Sequence, residues 1–136
     1  CNTMLHDYLL NHCHGLTYSS ALSPAVIGAV QQAWQLLPEM EWERHHLKQL
    51  ASYTRNQLKQ RGYDTGQSDS HIIPIMIGDA AKTLNLCRQL EQQNIFIAAI
   101  RPPTVPAHSS RIRLSLQSNH DQLTVDRLLD ALSSIA

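Results

Sequence analysis

Residues 111–116 read Arg-Ile-Arg-Leu-Ser-Leu, and this strict alternation constrains the fold more than any other feature of the chain. Successive side chains of a β-strand point to opposite faces. Ile112, Leu114 and Leu116 therefore require a buried face, while Arg111, Arg113 and Ser115 share the other. A sheet built around this strand has an apolar side under helices and a side that presents two arginines. Two apolar runs can supply its neighbours: His71–Ile77, closed by Gly78-Asp79, and Ile95–Ile100. Both are apolar on both faces, which implies cover on both sides. Pro74 has no N–H to give to a ladder, so its strand belongs at an edge or carries an irregularity.

The remaining segments follow helical spacing. The first dozen residues read as a helix ended by Gly15. Ser23-Pro24 opens the next, with Ser as N-cap and Pro at the first helical position; Val30, Ala33, Trp34 and Leu37 form its stripe, and Pro38 breaks it. A third helix runs over about 39–61, burying Leu47, Leu50, Ala51, Thr54 and Leu58, with Gly62 as its C-terminal stop. Asp79 caps a helix over about 80–93. The last, about 121–134, carries Val125, Leu128, Leu129 and Leu132 on one face, with Asn119 or His120 near its cap. The order is α-α-α-β-α-β-β-α. The expected class is α+β, a small three-stranded sheet with helices packed on one face.

Composition narrows the function by exclusion. The 136 residues amount to about one ordinary domain. Eleven Lys+Arg offset eleven Asp+Glu, which argues against a basic nucleic-acid module. Apolar runs are far shorter than a membrane span. Cys1, Cys13 and Cys87 are odd in number and widely spaced, which fits a reducing, cytoplasmic setting better than a disulfide framework. The chain opens with Cys1, already inside an amphipathic helix, so the expectation is a piece of a longer polypeptide.

Few residue patterns suggest chemistry. His12-Cys13-His14 points in several directions on a helix and has no second ligand pair, so it reads as a helix end rather than a metal site. His45-His46, among Glu, Arg and Lys, reads as a solvated face. Arg111 and Arg113 admit two readings: charge protecting an edge strand, or a clamp for a carboxylate or phosphate. The preceding loop, Arg101-Pro102-Pro103-Thr104-Val105-Pro106, is stiff and carries a hydroxyl, as a substrate-facing wall would. Tyr18-Ser19-Ser20 precedes a helix start, as a simple cap loop or as hydroxyls that hold phosphate.

Two stretches carry a likeness. Residues 99–106, Ala-Ile-Arg-Pro-Pro-Thr-Val-Pro, and 110–116, Ser-Arg-Ile-Arg-Leu-Ser-Leu, resemble the C-terminal signature of the α-oxoamine synthases. These are pyridoxal-phosphate transferases of the aspartate-aminotransferase fold type. Tyr18–Pro24 resembles the family's "YS-small-x-x-P" segment, and Ser70–Pro74 with Gly78-Asp79 its "S-x-I-x-P…G-D" strand. The wording of the loop is closest to the branch that condenses L-alanine with a pimeloyl thioester, on CoA or a carrier protein, in biotin biosynthesis. Glycine acetyltransferases and other oxoamine synthases usually differ there. A domain of this fold without catalysis is the alternative of another class.

The resemblance implies roles. Arg113 would bind the amino-acid carboxylate and Thr104 would belong to the substrate loop. Ser19 and Ser20 would reach the cofactor phosphate of the partner subunit in a homodimer. It also implies that residues 1–22 connect to a large domain and that 23–136 form the C-terminal small domain. Lys48, Lys59 and Lys82 all sit on expected helices, none in the family's lysine-loop context, so no cofactor is expected to attach covalently to this stretch. The likeness departs at His108, where the family commonly has glycine. If that glycine needs a positive φ, the loop tip here is expected to take a different shape.

Overall fold

The computed structural model describes residues 2–135, and contacts divide the chain into two units, one ending at Glu39 and the other beginning at Met40. The first unit is helical: α1 (Thr3–His12), α2 (His14–Thr17), α3 (Pro24–Leu36) and a 3₁₀ turn at Leu37–Glu39. Gly15 does not end the first helix. The break comes at Cys13, whose extended backbone ends α1, and Gly15 lies within the single turn of α2. Ser23 does precede α3 with Pro24 at its start, but its side chain makes no capping bond. None of the described residues of this unit is buried, so the stripe of Val30, Ala33, Trp34 and Leu37 lies open, Trp34 at 73% exposure.

The second unit contains α4 (Glu41–Gln60), β1 (Ile72–Gly78), α5 (Ala80–Glu91), β2 (Ala98–Ile100), β3 (Ser110–Ser115) and α6 (Gln122–Ile135). α4 stops where the chain turns left-handed at Gly62, φ +82°, with Gly62 N–H donating to Lys59 and Tyr63 N–H to Leu58. α5 starts at Asp79, whose Oδ1 accepts from the Lys82 N–H at 2.7 Å. α6 starts one residue later than expected: Asp121, not Asn119 or His120, accepts from the Thr124 N–H at 2.8 Å. Both hydrogen bonds from Thr124 hold the Asp121 carboxyl below its usual range.

The sheet is antiparallel in the order β1-β3-β2. β1 is thus an edge strand, which is where Pro74 can sit. β3 is the central strand, so Arg111 and Arg113 do not guard an edge; that reading of the two charges is withdrawn. β2 is shorter than its apolar run, pairing only over Ala98–Ile100 while residues 95–97 leave the ladder. Ile73, Ile75, Ile112 and Leu114 are buried together with Leu50, Leu58, Leu90, Leu129 and Leu132. Each such side chain contributes about 1.5–3 kcal/mol relative to exposure. Cover on both faces is not found: Ile72 is exposed, and Pro74 and Met76 are only half-buried. No described helix is long and apolar enough to cross a membrane.

Candidate carboxylate-binding site

The arginine-bearing face of the sheet follows from register. Residues directly opposed on neighbouring antiparallel strands share a face. Arg111 lies between Met76 of β1 and Ile100 of β2; Arg113 lies between Pro74 and Ala98. The two guanidiniums then part company. Arg111 is half-buried, and its Nε donates to the Ser109 carbonyl at 3.1 Å. Arg113 is exposed, and among the described residues its guanidinium has neither hydrogen bond nor ion pair. An unpaired planar fork on a rigid central strand can bind a carboxylate through two parallel N–H···O bonds.

Beside Arg113, a groove of about 490 Å³ opens where residues 95–97 diverge from β3. Phe96, Ile97, Ala98 and Leu116 border it, with Leu128 of α6 behind. Its lining is mainly apolar and includes Arg113 and Arg127, a setting suited to a small organic anion.

The loop from Arg101 to Ser109 joins β2 to β3. Thr104 N–H donates to the Arg101 carbonyl at 3.0 Å, closing a turn that leaves the Thr104 side chain exposed. Ser109 closes a second turn, its Oγ donating to the Pro106 carbonyl at 2.7 Å. His108 adopts φ +62°, the left-handed conformation that favours glycine. The histidine itself therefore takes the positive φ that a glycine would adopt most readily. Its carbonyl lies over Gly78, where an added Cβ would stand 3.4 Å away. Gly78, at φ +85°, sits at the register shift of β1 and leaves room for the loop.

Ser19 and Ser20 belong to the first unit. Ser19 is engaged locally, its Oγ donating to the Leu16 carbonyl at 2.8 Å. Ser20 is exposed and without a recorded bond among the described residues. The first turn of α3, a few residues on, lacks a side-chain cap; Pro24 has no N–H and Ile27 N–H donates to the Ser23 carbonyl, which leaves the N–H groups of Ala25 and Val26 as its open donors. An exposed hydroxyl followed by open helix donors fits a phosphate group. Lys48, Lys59 and Lys82 are exposed on α4 and α5.

His120 also lines the groove, whereas His46 and the cysteines stay outside it. His46 is not solvated as the sequence suggested: it is half-buried, stacked on Trp42, and its Nε2 donates to the His120 carbonyl at 2.8 Å, tying α4 to the start of α6. Among the described residues no group of three or more His, Cys, Asp or Glu gathers to hold a metal ion. Burial pushes the Cys87 thiol up, and Cys13 is exposed and free. Cys1 lies outside the described residues.

Sequence reasoning found both loop and arginines but missed Pro74 and Ala98 as the neighbours of Arg113. The run of residues 95–100 is apolar on both faces, so only register shows that Ala98 lies beside Arg113.

Known proteins resemble the chain throughout. The sequence pattern of the family described as aminotransferase class I and II matches residues 1–132. An 8-amino-7-oxononanoate synthase of Gluconacetobacter diazotrophicus is 43% identical over 130 residues, 96% of this chain and 33% of that protein. The chain thus spans about a third of the length of the curated relatives it matches. Among solved structures, the serine palmitoyltransferase of Sphingomonas wittichii superposes with a TM-score of 0.85 at 24% identity, covering 98% of this chain and 34% of the other. The 8-amino-7-oxononanoate synthase of Francisella tularensis gives 0.82 at 21%, covering 98% and 39%. At these identities the two superpositions speak for the fold.

Proposed function

The chain belongs to the class I and II aminotransferase family, and from that premise we propose that it is the C-terminal part of an 8-amino-7-oxononanoate synthase. The complete protein would condense L-alanine with a pimeloyl thioester, on CoA or a carrier protein, with loss of CO2. The observation that carries the reading is the Arg113 guanidinium, without a partner among the described residues, on the open face of the sheet beside a groove of about 490 Å³. The sequence similarity to a synthase of that name supports the choice of substrates.

In this reading Arg113 binds the alanine carboxylate through its fork and fixes the amino acid against the sheet. Fixing a reactant in this way removes much of the entropic part of the barrier. Arg111, held by Ser109, fixes the entry of β3 and so the aim of Arg113. The turn closed by Thr104 and Arg101 leaves Thr104 exposed, where its hydroxyl would meet the substrate. Ser20, with the open donors of α3 and alongside Ser19, would hold the phosphate of pyridoxal phosphate, in the partner subunit of a homodimer. That cofactor, when bound, supplies an electron sink for carbanion chemistry at the amino acid. The lysine that anchors it is assigned to the preceding large domain, because all three lysines here stand exposed on helices. We place residues 23–136 in the small domain as the resemblance implies, with the unit beginning at Met40 as its compact core. A cytoplasmic location accords with the free thiols of Cys13 and Cys87.

The test uses the complete gene product with pyridoxal phosphate, L-alanine and pimeloyl-CoA, following free thiol and the amino-ketone product by mass spectrometry. Glycine with acetyl-CoA runs in parallel. Product from the alanine arm is expected. Turnover in the glycine arm alone would transfer the protein to the acetyltransferase branch, and no turnover in either would favour a non-catalytic domain.

A further inference from the structure

The freedom of Arg113 needs explaining, because an arginine in the middle of a sheet has cross-strand neighbours on both sides within reach of its fork. Directly opposed residues stand with Cβ atoms about 4.5–5.5 Å apart, and opposite charges there pair favourably. The positions directly opposite Arg113 are occupied by Pro74 and Ala98. Neither side chain has a polar atom, and neither is long enough to cover the guanidinium. Arg111, one pair along the same face, is flanked by the longer Met76 and Ile100 and is tied to Ser109. Pro74 occupies an edge strand. Ala98 is exposed on the opposite edge strand and borders the groove together with Arg113.

We propose that Ala98 is the positioning residue that keeps the Arg113 fork unpaired and leaves the space beside it for an external carboxylate. A methyl group at this position offers no opposite charge, so the guanidinium is not captured in an ion pair within the sheet. It also leaves open the mouth of the groove, where the small substituents of a short amino acid would lie. A carboxylate at residue 98 would instead form a cross-strand ion pair with Arg113 and compete with the ligand. The inference rests on the reading of Arg113 as the amino-acid carboxylate site, and it names the neighbour that makes that reading chemically possible.

The test compares Ala98→Glu with the near-isosteric, uncharged Ala98→Gln in the complete gene product. The first readout is the rate at which phenylglyoxal modifies Arg113, with and without L-alanine, resolved by peptide mass spectrometry; it requires no turnover. Arg113 is expected to react readily in the parent, at least fivefold more slowly in Ala98→Glu, and within about twofold of the parent in Ala98→Gln. The second readout is kinetic: KM for L-alanine rises tenfold or more in Ala98→Glu while KM for the pimeloyl thioester stays within about twofold. Equal slowing by Ala98→Glu and Ala98→Gln would mean crowding rather than capture and would overturn the proposal. So would an Arg113 that is unreactive in the parent, or one whose reactivity is the same in the parent and in Ala98→Glu. If Ala98→Glu slows the modification as expected but L-alanine does not protect Arg113 in the parent, Ala98 keeps its role and the assignment of the alanine carboxylate fails instead.

Discussion

Replacing Arg113 by alanine in the complete protein separates binding from folding, because the two arginines of β3 differ in what they touch. Arg113 is exposed and, among the described residues, has no partner, so its removal leaves no group unsatisfied in the sheet. Thermal stability should change little. What disappears is a charge-assisted pair with the ligand, worth about 1.5–3 kcal/mol. At about 1.4 kcal/mol per tenfold, kcat/KM for L-alanine should fall roughly 10- to 150-fold. Arg113→Lys should recover only part of this, since a point charge cannot reproduce the planar fork. Arg111→Ala should behave in the opposite sense. It removes the bond to the Ser109 carbonyl, so it should lower the melting temperature while reducing alanine kinetics far less. Steady-state kinetics varying L-alanine at saturating thioester, together with melting curves of all three variants, check both halves. If Arg113→Ala stays within about twofold of the parent, the guanidinium is a solvent-facing charge and the clamp assignment is wrong.

Three other outcomes follow from local features. His108→Gly should raise stability by about 0.5–1 kcal/mol, the left-handed penalty of a non-glycine residue less the extra chain entropy of glycine; an unchanged or lower denaturation midpoint would contradict the strain at φ +62°. The Asp121 carboxyl is held below its ordinary range by Thr124. Its contribution is therefore complete above the unfolded aspartate value and is lost as pH falls through the lowered folded value, so Asp121→Asn should flatten the acid limb of the stability curve and leave the neutral region's slope alone. The 136-residue chain by itself should bind an apolar dye and self-associate, because Val26, Ile27, Val30 and Trp34 of α3 are all at least half exposed; a monodisperse monomer that leaves the dye dark would count against this.

Local pattern alone determined much of this protein. The alternation of Arg111–Leu116 specified a two-faced strand, and the core duly takes Ile112, Leu114 and Leu116. The spacing of Leu50, Ala51, Thr54 and Leu58 on α4, and of Val125, Leu128, Leu129 and Leu132 on α6, named buried faces correctly. These readings succeed because period and burial are properties of one segment against water. The stripe of α3 had the same period, yet nothing in its unit buries it, since a helical pattern records that a partner is required and not where it is. Strand order lies beyond the reach of pattern for the same reason. That β3 is central, that β2 pairs over only Ala98–Ile100, and that Pro74 and Ala98 flank Arg113 are consequences of pairing between segments far apart in the chain. Sequence could place two arginines on one face; only the tertiary structure decided that the carbonyl of Ser109, two residues back, holds Arg111, while the register sets Pro74 and Ala98 beside Arg113 and leaves it without a partner among the described residues.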